Sequence, residues 1–252
     1  MAATVAYGAY RGEHFSAVAG FLRELRDDAA NAAGFKIATL TITGRKQLTE
    51  AEVLSAAGIT ANTSLLFLDV AEARRRLEAT PWIARATVRK FYPDHLEIAI
   101  EERQAFALWQ KDGKLSIIAA DGTVLAPVDD HAVPQLPLVV GPGAAAKAPD
   151  FLALLDRYPD LRDQVRAAIL VADRRWNLKL KSGLDIRLPE AGVEEALDTL
   201  IALDRDKNIL TRDLTAIDLR LPDRVTVRLS DEAAQAREQA LKDKKKRRGG
   251  DA

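Results

Sequence analysis

The segment 37–43 constrains the fold more than any other. Ala38, Leu40 and Ile42 alternate with Thr39, Thr41 and Thr43, and Gly44 follows. A period of two makes this a strand with one face buried. Thr49 stands three positions before Glu52, the spacing at which each can take the other's backbone N–H, so a helix starts there and ends near Ala57, before Gly58. A second helix opens on Asp69, again with a Glu three residues on (Glu72), gathers Val70, Ala73 and Leu77 on one face, and stops at Pro81. Two alternating runs follow. In the first, Ala84, Ala86 and Val88 oppose Arg85, Thr87 and Arg89; in the second, Leu96, Ile98 and Ile100 oppose Glu97 and Glu101. Tyr92-Pro93-Asp94-His95 supplies the turn between them. The order β-α-α-β-β closes near Arg103. Ahead of it, Phe15, Val18, Phe21, Leu22 and Leu25 fall at helical spacing in an amphipathic helix that runs to about Ala33 and stops at Gly34.

From Ala105 the pattern changes to short strands, at 106–110, 115–119 and 123–125, with Asp121-Gly122 as a turn. The stretch 127–149 is rich in Pro, Gly and Ala and is expected to lie over the surface. Short helices are expected at 151–155 and 161–167, then a hairpin of 176–180 and 184–188 joined through Lys181-Ser182-Gly183. Over 193–203 an amphipathic helix turns Val193, Ala196, Leu197, Leu200 and Ile201 inward. A last pair of strands closes the pattern. Ile217, Leu219 and Leu221 alternate with Asp218 and Arg220; after the turn Pro222-Asp223, Val225, Val227 and Leu229 alternate with Arg224, Thr226 and Arg228. The expected class is α+β, divided into a first segment 1–34, a β-α-α-β-β domain 35–103, a strand-rich mixed domain 104–230 with peripheral helices, and a polar, basic tail 231–252 without fixed structure.

Composition excludes several functions. With 37 Lys+Arg against 37 Asp+Glu, the chain lacks the basic surplus of a nucleic-acid protein. There is no cysteine, and His14, His95 and His131 stand in no metal-ligand spacing. No P-loop, dinucleotide fingerprint or Gly-x-Ser-x-Gly occurs, and Glu101 and Glu102, adjacent on a strand, point to opposite faces, which is wrong for a shared acid/base pair. No pattern argues for an active site, a cofactor, a small-molecule substrate or a nucleic-acid partner, and the expectation is a non-enzyme, with a catalytic constellation assembled only in the fold, as in a cell-wall enzyme, the rival reading. No run reaches the roughly 18 apolar residues of a spanning helix. Residues 1–10 are uncharged, include Tyr7 and Tyr10, and precede Arg11. They read either as the last third of a membrane span whose beginning is missing or as an uninformative terminus.

The first domain resembles a POTRA domain, and the chain from about Phe35 to Leu229 resembles the FtsQ/DivIB family of bacterial division proteins. The resemblance rests on Ile42-Thr43-Gly44, Leu65-Leu66-Phe67-Leu68-Asp69, Pro81-Trp82-Ile83, Tyr92-Pro93-Asp94 and Glu101-Glu102-Arg103 in the first domain. In the second it rests on Ala107-Leu108-Trp109, Leu136-Pro137-Leu138-Val139, Arg175-Trp176-Asn177-Leu178 and Ile217-Asp218-Leu219-Arg220. It implies a scaffold at the septum that catalyses nothing and binds the FtsB/FtsL pair. It also implies a single-pass anchor in the bacterial inner membrane, with this region on the periplasmic side. The alternative is a POTRA chaperone arm of an outer-membrane assembly or transport system.

The family docks its FtsB partner on the last strand and the turn before it. That places partner-binding here on Arg220, Leu221, Asp223, Arg224, Val225, Thr226, Val227 and Arg228, with Leu221 where the family carries an aromatic. Periodicity alone reads the same hairpin as simply completing a sheet, its Arg224, Thr226 and Arg228 solvating an edge. The run Arg74-Arg75-Arg76 reads as a solvated helix face, and Trp82, Trp109 and Trp176 as core packing. The basic residues of 242–248 read as a solubilising end.

Overall fold

A computed structural model describes residues 14–128 and 134–248; the apolar segment 1–10, His131 and residues 249–252 lie outside them. The chain divides into two compact units, Met1–Gln104 and Ala105–Ala252.

In the first unit, helix α1 (His14–Ala30) runs into a π-helical turn, Asn31–Phe35, that Gly34 breaks at φ 95°. Strand β1 (Thr39–Thr43), helices α2 (Glu50–Ala57) and α3 (Val70–Glu78), and strands β2 (Ile83–Phe91) and β3 (His95–Glu102) follow in the expected order. The sheet order is β1-β3-β2, with β1 parallel and β2 antiparallel to β3. Thr49 and Glu52 form the reciprocal cap: the Thr49 N–H donates to Glu52 Oε2 at 2.7 Å, and the Glu52 N–H to Thr49 Oγ1 at 3.3 Å. At the other end of α2, Gly58 has φ 72°, and a Cβ there would stand 2.1 Å from Arg76 Nη1. The left-handed turn favours glycine, and any side chain there would also displace the Arg76 guanidinium. Arg75 and Arg76 both pair with Glu72 and Arg74 with Glu78, so the arginine run is a largely self-paired, solvated helix face. Val53, Leu65, Leu77, Ile83, Leu96 and Ile98 form the core.

Glu101 and Glu102 part across β3. Glu101 is exposed, while Glu102 is only 8% exposed and its carboxylate accepts the backbone N–H groups of Lys46, Gln47 and Leu48 at 2.9, 2.8 and 3.1 Å. Burial alone would push this carboxyl up; the three N–H donors outweigh it and hold the pKa below the usual range.

The second unit contains β4 (Ala107–Lys111), β5 (Lys114–Ile118), β6 (Val124–Pro127), β7 (Leu138–Val140), α4 (Ala144–Leu155), α5 (Pro159–Arg162), β8 (Val165–Val171), β9 (Arg175–Leu180), β10 (Asp185–Arg187), α6 (Val193–Lys207), β11 (Leu214–Asp218), β12 (Thr226–Leu229) and α7 (Asp231–Arg248). Among the described residues its strands make one nine-stranded sheet, ordered β12-β11-β10-β9-β8-β7-β4-β5-β6. Phe151, Leu155, Leu161, Leu197 and Leu200 from the helices share a core with Leu178, Ile186 and Ile217 from the strands. Trp176 belongs to that core, stacked on Phe151 with centroids 4.4 Å apart. Trp82 and Trp109 are half-buried, and Trp109 Nε1 donates to the Gly141 carbonyl at 2.8 Å.

Three expectations change here. The stretch 127–149 is not a surface passage: it contributes β7, parallel to both β4 and β8, and the first half of α4, with Val139, Ala144 and Ala148 fully buried. Its Pro149 lies inside the helix rather than ahead of it. The expected helix 161–167 stops at Arg162, and β8 takes over from Val165. An apolar run without alternation fits an interior strand as well as a helix, and pairing on both sides decides it. The tail is helical as α7. Ser230 caps it, its Oγ accepting the Ala233 N–H at 3.1 Å, and its Ala, Glu, Gln, Lys and Arg residues are strong helix formers.

Candidate partner-binding edge

The family resemblance placed the candidate site at the end of the second unit, and there a strand ends the sheet. Strand β12 pairs antiparallel with β11 through Ala216↔Arg228, Ile217↔Val227 and Asp218↔Thr226, and it is the last strand in the sheet order. Its other edge pairs with no strand among the described residues. Thr226, Val227 and Arg228 are exposed and Leu229 half-buried, so the alternation Val225–Leu229 does not bury one face as the alternation of Leu96, Ile98 and Ile100 does in β3. Val227, apolar and 41% exposed on this edge strand, is not part of the core.

Arg220, Leu221, Asp223 and Arg224 occupy the connection between β11 and β12, and all four are exposed. Arg220 grips Asp218: Nε donates to the two carboxylate oxygens at 2.8 and 3.0 Å, and Nη2 donates to Oδ2 at 2.6 Å. Arg187 approaches the same carboxylate at 3.7 Å. Hydrogen bonds from Arg220 hold the Asp218 carboxyl below the usual carboxylate range against the opposing effect of burial. Arg224 pairs with Asp223 at 3.0 Å.

Two depressions flank this connection. One, about 310 Å³, is lined by Ala191 and Ala196 near the start of α6 together with Leu219, Leu221, Pro222 and Val225. The other, about 480 Å³, is basic, bounded by Arg175, Asp218, Arg220, Leu221, Arg224 and Thr226. Arg175, Ala191 and Ala196 were not among the site residues read from the sequence. They lie far from the last strand in sequence and reach it only through the β9-β10-β11 order and the α6 crossover. The eight residues that were read all lie on the β11–β12 connection or on β12, and Val225 is half-buried beside the apolar depression.

No group of three or more potential metal ligands occurs among the described residues. His95 lies 3.4 Å from Thr41 Oγ1 and packs edge-on to Phe91.

These two units, a β-α-α-β-β domain followed by a mixed domain on a nine-stranded sheet, have the architecture of a POTRA-bearing protein. Residues 35–103 match the FtsQ-type POTRA domain, and residues 107–220 match the C-terminal domain of cell division protein FtsQ/DivIB. The chain is 52% identical to cell division protein FtsQ of Bradyrhizobium diazoefficiens over 246 residues, 98% of this chain and 72% of that protein. It is 39% identical to the FtsQ of Agrobacterium fabrum over 94% of this chain and 75% of that protein, and 40% identical to that of Rhizobium meliloti over 95% and 75%. The chain belongs to the FtsQ family and is a cell-division protein. The match over 107–220 favours this over the arm of an outer-membrane transporter.

Proposed function

We propose that the chain is a non-enzymatic adaptor of the division complex that holds a partner of the FtsB/FtsL type by strand addition at β12. The observation that carries this reading is a sheet-terminal strand with an open edge and an exposed Val227, flanked by an apolar and a basic depression. Backbone pairing along such an edge supplies affinity, and side-chain pockets beside it supply specificity. The resemblance adds an inner-membrane anchor and a periplasmic setting. No helix among the described residues is long and apolar enough to cross a membrane.

The test is partner binding by Val225→Pro and Val227→Pro variants, with Arg224→Glu as a change that leaves the backbone intact. Proline removes one N–H and its ring disturbs the ladder, so each is expected to weaken binding by about a hundredfold. Arg224→Glu should weaken it by about tenfold through the basic depression. If the proline variants, folded by circular dichroism, bound the pair like the parent chain, strand addition at β12 would be wrong.

A further inference from the structure

Large apolar side chains that stand exposed gather at a second place, far from β12 in sequence. Phe21, Leu22 and Leu25 on α1, Leu66 and Phe67 in the α2–α3 connection, and Phe91 and Tyr92 at the β2–β3 turn are 38 to 65% exposed. The three segments meet. Asn31, just past α1, donates to the Asn62 carbonyl at 2.9 Å, and Lys36 bridges Ser64. Tyr92 sits edge-on to Phe35 at 6.2 Å, and Lys90 Nζ reaches the Leu66 carbonyl at 3.3 Å. The Arg26 guanidinium lies 4.2 Å from the Phe67 ring centroid. One end of the first unit thus presents aromatic and aliphatic bodies interleaved with Arg26, Lys36 and Lys90.

We infer that this end of the first unit lies on an anionic phospholipid surface, with the rings and leucines in the headgroup boundary and the cations at its phosphates. Amphipathic side chains with Lys and Arg beside aromatics are the composition that boundary selects. The sequence is continuous with it: residues 1–10, uncharged and containing Tyr7 and Tyr10, lead directly into α1. By the 3.6-residue period Asp27, which pairs with Arg26 at 3.3 Å, falls on the helix face away from Phe21, Leu22 and Leu25, whereas Asp28, seven residues after Phe21, shares their face, so Lys36 and Lys90 are the cations without an acidic neighbour on α1. The inference does not rest on β12 or on its partner.

The experiment uses the whole chain and vesicles of phosphatidylethanolamine with phosphatidylglycerol, against vesicles of phosphatidylcholine. Because the sequence has no cysteine, Phe67→Cys and Phe91→Cys each give a single site for an environment-sensitive fluorophore, with Val124→Cys as the reference. Emission should shift to the blue at 67 and 91 on the anionic vesicles and stay fixed at 124. The double change Leu22→Glu with Phe91→Glu, at two exposed positions that the core does not use, should lower the partition by about tenfold or more while residues 1–13 stay intact. Labels at 67 and 91 that remain in water while the chain sediments with vesicles would overturn the proposal, because residues 1–13 would then suffice. So would equal partition onto phosphatidylcholine, or burial of these labels only on addition of the protein partner.

Discussion

Two edge strands of this molecule carry similar sequences and meet different fates. β2 and β12 both end a sheet, and both alternate apolar residues with Arg and Thr. On β2 the chain's own side chains occupy the backbone. Glu78 accepts the Ala86 N–H at 3.3 Å, and Arg103 Nη1 donates to the carbonyls of Ile83 and Pro81 at 2.7 and 2.9 Å. Arg85 faces Glu101 at 3.8 Å, so the outward charge is balanced as well. On β12 the side-chain contacts to backbone come from Thr215, on the neighbouring β11, to the carbonyls of Arg228 and Leu229. Side chains of the same unit thus take up the Ile83 carbonyl and the Ala86 N–H of β2, a local guarding of the kind that protects edge strands from pairing.

The largest effect that sharpens the contrast concerns how thoroughly the first unit satisfies its backbone. Glu102→Gln keeps the shape but removes the charge that three N–H groups share. The first unit should lose about 2 kcal/mol, since hydrogen bonds to a charged acceptor contribute more than neutral ones. The pKa of Glu102 is lowered on folding, so its stabilisation is complete above the unfolded value near 4.3 and is lost as pH falls through the folded value. Thermal melts of the parent chain should therefore fall in acid, and those of Glu102→Gln should fall less. Parallel curves would show that the clamp contributes nothing.

A smaller effect bears on the guard itself. Glu78→Ala leaves the Ala86 N–H without its carboxylate at a residue that is 6% exposed. The cost is about 1 kcal/mol, and amide exchange at Ala86 should quicken by several-fold while exchange along β3 stays unchanged. Unchanged exchange at Ala86 would mean that Glu78 does not close this edge.

The contrast also explains what could be read in advance. The first unit was legible because each signal is local: the alternation at 38–43, the Thr49–Glu52 cap and the Gly58 stop all act within a few residues. The second unit was legible where strands alternate and turn residues join them, as at β9–β10, and illegible where a strand is very short or uniformly apolar. β7 has three residues, and β8 is an apolar run whose identity depends on neighbours brought in by α4. The site divides in the same way. Arg220 to Arg228 were singled out by the resemblance, periodicity alone reading them as a hairpin that completes the sheet, whereas Arg175, Ala191 and Ala196 come beside them only through the fold.

The smallest effect tests whether the basic depression is organised or merely charged. Asp218 fixes Arg220 beside the open edge, and the pair is exposed enough that solvent screens it. Asp218→Asn should leave the fold intact and weaken partner binding by only about two- to threefold, through loss of a pre-set guanidinium. Because folding lowers the pKa of Asp218, this contribution should be level between about pH 7 and pH 5 and vanish only as pH falls through that lowered value. Titrations of affinity against pH for parent and variant separate the two views. If Arg220 only solvates the edge, the curves coincide at every pH, and the open strand alone accounts for the affinity.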